Sequence, residues 1–247
     1  MTDVSIVIPA FNEAPKIVRD VEEAVRFFER EGFAGEVIVA DDGSTDGTAA
    51  AARAVRVPPA VRFETISLER NMGKGFALKA GILASSGAVV IYADSGTCVP
   101  YGDALPWIRR IRDGGLEMAM ASRRLAATVI RRNRPLKRRL LGRAFHLAAI
   151  TIVGLPRRIT DSQCGFKVYR GDIARELYAG LETPGFLFEL EIILKALRLG
   201  CRVEEFPMTW TCDLDTRLRP GSQARALLRE LYAVRRAVRR ASTVKSS

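Results

Sequence analysis

The chain has 247 residues, of which 48% are hydrophobic and 27% are charged, and its formal net charge at pH 7 is +11. This composition is typical of a globular protein and excludes an intrinsically disordered one. The excess of basic side chains predicts an anionic partner: a nucleic acid, an anionic lipid surface or a phosphorylated substrate.

Targeting and zinc-binding patterns are missing from the sequence. The N-terminal segment MTDVSIVIPAFNE has neither the basic start nor the long apolar stretch of a signal peptide. The longest apolar run, residues 144–155, is shorter than the roughly 20 residues that span a bilayer. The four cysteines lie far apart and His146 is the only histidine, so no zinc site is expected. We expect a cytoplasmic chain with free thiols and no membrane-spanning helix of its own.

Strands and helices alternate along the first part of the chain. Short runs rich in β-branched residues predict strands, and apolar residues at helical spacing predict helices. The predicted strands are residues 4–8, 36–40, 61–67 and 88–93. The predicted helices are residues 14–31, 49–55 and 75–84. This alternation predicts an α/β fold with a mostly parallel, Rossmann-like sheet flanked by helices.

Each of these four strands is followed by polar residues. They are Asn12 and Glu13, then Asp41 and Asp42, then the segment 70–74, and last Asp94. Because ligands of such sheets bind at the carboxyl ends of the strands, we expect these side chains to share one site.

Three motifs at these strand ends carry candidate chemistry. The turn DDGSTDGT offers acceptor oxygens for a base or ribose; the alternative is an ordinary turn in which Ser44 or Thr45 caps a helix. The loop NMGKG lets backbone approach a phosphate beside Lys74; the alternative is a loop with a surface lysine. Asp94 supplies a hard oxygen ligand for a metal that bridges a pyrophosphate; the alternative is a helix cap.

The second half of the chain is strongly basic. Residues 118–160 contain no acid, yet they carry many arginines. We predict a helix at 185–199, a strand at 201–210 and an amphipathic helix at 223–240. Glu189 and Glu191, within GFLFELEI, indicate a partly buried carboxylate that has a raised pKa or a charged partner; the alternative is a pair of acids at a helix start.

The ordered motifs together resemble a known family. They are VSIVIPAFNEA, VIVADDGSTDGT, RNMGKGFALKAGI, the strand end at Asp94, ASRR, DSQCGFKVYR, GFLFELEI and VEEFPMTW. They resemble a family 2 glycosyltransferase with the GT-A fold, in the branch of dolichyl-phosphate β-glucosyltransferases and related polyprenyl-phosphate sugar synthases. The resemblance covers about residues 4–237, and the motifs from QCGFK onward are the more specific ones. It implies a GT-A domain at 1–215 and a C-terminal basic helix and tail at 216–247.

The resemblance also implies roles for single residues. Asp94 matches the first acid of the family's metal-binding DxD, and Arg123 matches an arginine near the donor or acceptor phosphate. Gln163 lies in a loop that closes on the sugar, and Glu189 and Glu191 complete the implied catalytic set. The residues implied for donor binding are Pro9, Ala10, Asn12, Glu13, Asp41, Asp42 and Lys74.

The metal-binding pattern departs from the family at one position. The second acid of the DxD is replaced by Gly96, which has no ligand side chain. Because Mg²⁺ is often held by one or two carboxylates with phosphates and waters, Mg²⁺ or Mn²⁺ at Asp94 is still expected. Loss of the metal, or a changed donor or acceptor, is equally compatible with the replacement.

The implied reaction is an inverting transfer of a hexose, in the first instance glucose from a UDP-sugar, to a polyprenyl or dolichyl phosphate. A phosphate monoester is mostly dianionic at pH 7 and needs little base catalysis, whereas like-charge repulsion calls for arginines and a cation. We assign the acceptor phosphate and an anionic membrane surface to Arg131, Arg132, Arg134 and Arg138. The apolar run 144–155 would lie at the bilayer interface, on the cytoplasmic side; the alternative is a buried helix.

Two further functions are weighed against this one. A family 2 enzyme with a soluble sugar or glycan acceptor would use Glu189 or Glu191 as general base on a hydroxyl. A nucleic-acid-binding protein would interleave aromatic side chains with the basic run, and only Phe145 lies near it. We therefore expect no nucleic-acid partner.

Overall fold

The computed structural model describes residues 2–132, 136–212 and 224–243. The strands are β1 Val4–Ala10, β2 Gly35–Asp41, β3 Val61–Ser67, β4 Val89–Ala93, β5 Met118–Ala121, β6 Val129–Arg132, β7 Phe166–Arg170, β8 Val203–Phe206 and β9 Thr209–Thr211. The helices are α1 Ala14–Glu31, α2 Thr48–Arg53, α3 Lys74–Ala84, α4 Leu105–Arg112, α5 Leu136–Ala148, α6 Gly171–Ala179, α7 Phe188–Arg198 and α8 Ala224–Thr243. A short 3₁₀ helix, Tyr101–Ala104, precedes α4, and a π-helical turn, Ala149–Val153, follows α5.

A seven-stranded sheet forms the centre of the fold, in the order β3-β2-β1-β4-β7-β5-β8. The strand β7 is antiparallel to both of its neighbours, and the other pairings are parallel. Every residue of β1, β2, β4 and β5 is buried, as expected for strands that are covered on both faces. The predicted mostly parallel α/β sheet is therefore confirmed.

Apolar side chains on the two faces of the sheet form two separate cores. Ile6 on β1 packs with Val21 and Phe28 of α1 on one face, and Val7 packs with Leu78 of α3 and Phe188 of α7 on the other. This alternation follows from the two-residue period of a strand. The helix α8 completes the second core with Leu231, Val234 and Val238.

Two sequence predictions differ from the structure. The strand predicted at 201–210 is divided at Pro207: β8 pairs with β5 in the main sheet, whereas β9 pairs with β6 in a separate two-stranded sheet. Proline has no N–H for a ladder, which explains the interruption. The helix predicted at 185–199 begins only at Phe188.

The apolar run 144–155 is only half-buried. Ala149 and Leu155 are buried, and Phe145, Ile150 and Val153 pack against the second core, whereas Ala144, Leu147 and Thr151 are exposed. Part of the run therefore joins the core and part lies on the surface, and its contact with a bilayer stays a prediction. In the described residues, no helix has the length and apolar character needed to cross a membrane. Residues 215 and 216 lie outside the described part, so the domain boundary between them stays a prediction.

Candidate active site

The loops that follow β1 and β2 are joined by hydrogen bonds. The Asn12 N–H donates to Ser44 Oγ at 2.8 Å, and the Thr45 N–H donates to Asn12 Oδ1 at 2.9 Å. The Glu13 N–H donates to Thr48 Oγ1 at 2.8 Å. Because α2 begins at Thr48 and its N-cap is Gly47, neither Ser44 nor Thr45 caps it, so the cap expected in the ordinary-turn alternative is not formed. Pro9 and Ala10, the last residues of β1, are buried beside this junction.

The two carboxylates after β2 connect the loops instead of pointing into open solvent. Asp42 accepts hydrogen bonds from the N–H groups of Met72 at 2.7 Å and Gly73 at 3.0 Å, while Asp41 accepts one from the Ser44 N–H at 3.2 Å. Burial raises the pKa of Asp42 above its ordinary value, against the opposing effect of these N–H donors. Asp42 therefore orders the loop that carries Lys74.

Lys74 and Asp94 meet at the centre of this edge. Lys74 Nζ lies 2.7 Å from Asp94 Oδ1, and the Tyr92 hydroxyl donates to the same oxygen at 2.6 Å. A β-carbon on Gly165 would lie 2.0 Å from Asp94 Oδ2, so the glycine of the QCGFK motif leaves the room that this carboxylate occupies. Burial lowers the pKa of Lys74, but Asp94 and Glu189 more than offset it, so the net pKa is raised and the ammonium is protonated.

The two glutamates of the GFLFELEI motif have different surroundings. Glu189 Oε1 accepts the Tyr92 hydroxyl at 3.0 Å, and Glu189 Oε2 lies 2.9 Å from Nζ of the fully buried Lys167. Glu191 instead pairs with Lys195 at 2.6 Å and accepts the N–H groups of Glu182 and Thr183. Residues two apart on a helix do not face each other, so the structure brings Glu189 to the Asp94 cluster and leaves Glu191 outside it.

Arg123 is held by an acid on the neighbouring loop. Its Nε and Nη2 each donate to the Asp161 carboxylate at 2.6 Å, and Nη2 also donates to the Gln163 carbonyl at 2.6 Å. Burial lowers the pKa of Arg123, but the Asp161 charge and hydrogen bonds outweigh it and raise the pKa above its ordinary value. The side-chain nitrogen of Gln163 is buried and makes no hydrogen bond within the described part of the chain. Arg123 thus braces the Gln163 loop.

Several residues of the site were missed by sequence reasoning. Tyr92 lies between Asp94 and Glu189, Lys167 pairs with Glu189, and Gly165 accommodates Asp94. Tyr92 precedes Asp94 by two residues on one strand, and that spacing on a common face was the available signal. Lys167 lies in the quoted QCGFK motif, but nothing local indicates that it is buried.

Asp94 is the carboxylate at this edge that could hold a divalent cation. Among the described residues, no group of three or more acids, cysteines or histidines is arranged to hold a metal. Asp94 is the only acid in the segment 94–97 that follows β4. The hydroxyls of Ser95 and Thr97 in this segment donate to Asp20. The Asp94 side chain is 36% exposed. A single carboxylate completed by phosphates and water is a normal set for Mg²⁺, so the residues fit the ion.

The basic segment lies on the surface where it is described. Arg131 and Arg132 on β6 are exposed, and Arg139 and Arg143 on α5 are exposed. Arg134 lies outside the described residues, as does the side chain of Arg138. The exposed leucines of α5 are Leu136, Leu140, Leu141 and Leu147. Apolar and basic side chains therefore share the surface of α5, and Leu147 belongs to the run 144–155 that was predicted for the interface.

Comparisons with known proteins identify the family. The model of the glycosyl transferase family 2 matches residues 5–178. A dolichyl-phosphate β-glucosyltransferase of Dictyostelium discoideum is 27% identical over 94% of this chain and 73% of its own length. That of Saccharomyces cerevisiae is 29% identical over 83% of this chain and 66% of its own length.

A solved structure matches the fold. Glucosyl-3-phosphoglycerate synthase from Mycobacterium tuberculosis, in complex with Mn²⁺, uridine diphosphate and phosphoglyceric acid, superposes with a TM-score of 0.63 at 22% identity. The match covers 95% of this chain and 78% of the synthase. The GT-A fold that the motifs implied is thereby confirmed.

Proposed function

The chain belongs to glycosyl transferase family 2, and from this premise we propose that it transfers glucose from UDP-glucose to a polyprenyl or dolichyl phosphate, with inversion. The observation that carries the proposal is the Lys74–Asp94 pair at the carboxyl edge of the sheet, flanked by the joined loops after β1 and β2. The names of the curated relatives support the acceptor, and the uridine diphosphate bound to the synthase supports the donor.

The donor fits the strand-end loops by its chemistry. Pro9, Ala10, Asn12 and Glu13 would line the nucleotide pocket, and Asp41 or Asp42 would face the base or ribose. Lys74 is protonated and stands where the negative charge of the diphosphate would gather. A charge-assisted contact of this kind stabilises a leaving group whose charge grows in the transition state. Mg²⁺ or Mn²⁺ held at Asp94 would supply further positive charge to the diphosphate.

The acceptor side favours a phosphate over a hydroxyl. An oxygen of the lipid phosphate attacks the anomeric carbon as the bond from that carbon to the diphosphate breaks, and the nucleoside diphosphate leaves with the electron pair. A dianionic phosphate has no proton to give up, so no general base is required. Glu189 shares the single Tyr92 hydroxyl proton with Asp94, and its Oε2 lies 2.9 Å from the ammonium of the buried Lys167. As general base for a hydroxyl, Glu189 would take up a proton and leave that buried ammonium without its counter-charge.

The surface of β6 and α5 suits a lipid-embedded acceptor. Exposed arginines on both elements offer contacts to anionic headgroups, and Leu136, Leu140 and Leu147 are each more than half exposed. Leucines beside arginines are the composition of helices that lie in a membrane interface. Arg235, Arg236 and Arg239 of α8 line a further basic groove, and α8 packs against the residues that follow α5. We propose peripheral binding to an anionic membrane through the β6–α5 surface.

One experiment tests the proposed reaction. The purified chain is incubated with UDP-glucose or GDP-mannose and with either a polyprenyl phosphate or a panel of soluble sugars, and the products are resolved by mass spectrometry. We expect a glucosyl phospholipid of β configuration, which follows from an α-linked donor by inversion. Transfer to a soluble sugar with none to the lipid phosphate would overturn the proposed acceptor and favour the hydroxyl-acceptor alternative.

A further inference from the structure

A buried carboxylate of α1 holds the turn that follows Asp94. Asp20 is 1% exposed. Its Oδ2 accepts the Ser95 hydroxyl at 2.7 Å and the Gly96 N–H at 2.8 Å, and its Oδ1 accepts the Thr97 hydroxyl at 2.6 Å. These donors belong to three consecutive residues, so one side chain organises the whole turn.

The turn needs such an acceptor because its backbone is unusual. Gly96 has a φ of 100° and Thr97 has a φ of 49°, and the second value lies in the left-handed region that residues with a β-carbon rarely adopt. The Arg19 guanidinium adds a hydrogen bond to the Gly96 carbonyl at 3.1 Å. The conformation after β4 is therefore maintained from α1 and not by the turn alone.

Asp94 stands between this turn and the end of the sheet. The Asp94 N–H donates to the Gly165 carbonyl at 2.8 Å, and this hydrogen bond fixes the backbone of Asp94 on the side toward β4. On the other side its chain continues into the three residues bound by Asp20. The direction of the Asp94 carboxylate, and its distance from Lys74, therefore depend on contacts made by Asp20.

We infer that Asp20 is a positioning residue for the donor site: it fixes the turn 95–97 and thereby aims the Asp94 carboxylate at the donor diphosphate and its cation. The inference rests on the proposed function. Asp20 itself does not contact the donor, because its oxygens are taken up by the turn. Its carboxylate accepts the Gly96 N–H, so Asp20 meets the turn at the position where the resembling family carries its second acid, without becoming a second ligand for the cation.

The test compares Asp20→Asn with a matched control. Asparagine keeps the size of the side chain but offers one acceptor oxygen where the turn has three donors. Glu117→Gln is the control: Glu117 is also a buried acid, and it accepts the N–H and the guanidinium of Arg202 at the opposite edge of the sheet. UDP binding is titrated by calorimetry over a range of Mg²⁺ and Mn²⁺ concentrations, and hydrogen exchange is followed in the peptide that contains residues 94–97.

We expect Asp20→Asn to weaken UDP binding in the presence of the cation by about tenfold, the size of one lost charge-assisted contact. The cation concentration at half-maximal binding should rise, and exchange at 94–97 should quicken. Glu117→Gln should leave the UDP affinity, the cation concentration at half-maximal binding and the exchange rate at 94–97 unchanged. If Asp20→Asn is poorly folded, the double variant Ser95→Ala and Thr97→Ala removes two of the same donors from the other side and should give the same direction of change.

The outcomes separate this inference from the proposed function. If the wild-type protein does not bind UDP, the proposed function is overturned, and this inference with it. Wild-type protein that binds UDP, together with an Asp20→Asn variant of equal affinity and equal cation dependence, overturns the positioning role alone. A loss that Glu117→Gln reproduces also overturns it, because the effect would then follow from stability.

Discussion

Lys74 Nζ lies 2.7 Å from Asp94 Oδ1, and the two residues come from different strand ends. Asp94 directly follows β4, whereas Lys74 begins α3 after β3, and the strands β1 and β2 lie between β4 and β3 in the sheet order. The pair places one positive and one negative charge at the position where a diphosphate and its cation would bind, so each partner has a distinct expected effect on the donor.

Removing the Lys74 ammonium should reduce the rate of reaction with the donor more than it reduces the stability of the fold. We expect Lys74→Met to reduce kcat/KM by on the order of 100-fold, since a preorganised cation at a leaving group contributes several kcal/mol. Lys79→Met is the control: Lys79 lies on the same helix and donates to the Leu181 carbonyl. Steady-state rates with UDP-glucose check this prediction, and equal rates in the two variants would contradict it.

Asp94→Asn removes the carboxylate charge without changing the volume of the side chain. If a cation at Asp94 assists the reaction, turnover should fall about 100-fold and Mg²⁺ should no longer stimulate it. Turnover of the wild type in EDTA is the companion measurement. Equal wild-type rates in EDTA and in Mg²⁺ would mean that Gly96 marks the loss of the metal and that Lys74 carries the positive charge by itself.

The Asp42 carboxylate acts on the donor through the loop of Lys74. Asp42→Ala leaves the N–H groups of Met72 and Gly73 without their acceptor, so we expect UDP affinity to fall about tenfold. Asp46→Ala is the comparison variant, because the Asp46 carboxylate accepts the Ala14 N–H at the junction of β1 and α1 and not the N–H groups of the Lys74 loop. Calorimetric titration with UDP measures the affinity. Unchanged affinity in both Asp41→Ala and Asp42→Ala would rule out a nucleotide pocket at this position.

The sequence predicts the parts of this site that depend on local pattern. The strands β1 to β4 and the helix α1 follow from β-branched runs and helical spacing, and their carboxyl ends identify Asp42, Lys74 and Asp94. Contacts between distant segments have no local signature, which is why Asp20 and Lys167 were missed. The same limit applies to Glu189 and Glu191: both lie in the first turn of the buried helix α7, and only the packing of α7 decides which one faces Asp94.

Gly165 is expected to tolerate no β-carbon while the Asp94 carboxylate keeps its place. In Gly165→Ala the new carbon would lie 2.0 Å from Asp94 Oδ2, so the carboxylate must turn away from Lys74. Turnover should fall at least about tenfold, the cost of misplacing one charged group. Gly180→Ala, directly after α6, is the matched control, because the nearest atom to its added carbon, Lys195 Nζ, lies at an ordinary contact distance of 3.7 Å. Comparable losses in the two variants would argue against a specific clash.

The stability of the fold should depend on the ionised Glu117 carboxylate, and this dependence should disappear at acid pH. The pKa of Glu117 is lowered, first by the hydrogen bond from Arg202, so its ionised form stabilises the fold. A lowered folded-state pKa contributes stability that is present above the ordinary value of 4.5 and is lost as pH falls through the folded-state value. We expect Glu117→Gln to cost about 1 kcal/mol at pH 7, since the pair is partly exposed, and progressively less below pH 4.5. Urea unfolding between pH 3 and pH 7 measures the difference, which should not grow toward low pH.

Binding to a membrane separates the proposed acceptor from a soluble one. Exposed arginines near an anionic leaflet contribute roughly 1 kcal/mol each at most, and salt screens them. We therefore expect salt-sensitive cosedimentation with anionic vesicles and weak binding to neutral ones. Arg139→Glu with Arg143→Glu should reduce this binding, and Leu140→Gln with Leu147→Gln should reduce the part that persists in high salt.

The control for this surface lies on the other face of the sheet. Arg109→Glu with Arg112→Glu makes the same charge change on α4, whose Ile108 and Ile111 pack into the first core, whereas the turn after α5 packs into the second. The α4 variant should keep vesicle binding, and both double arginine variants should keep UDP affinity because neither touches the strand-end loops. Transfer to a polyprenyl phosphate in vesicles should fall only in the α5 variants. If these variants transfer glucose to the lipid at the wild-type rate, the β6–α5 surface is a solvated face, and the acceptor reaches Asp94 from another side.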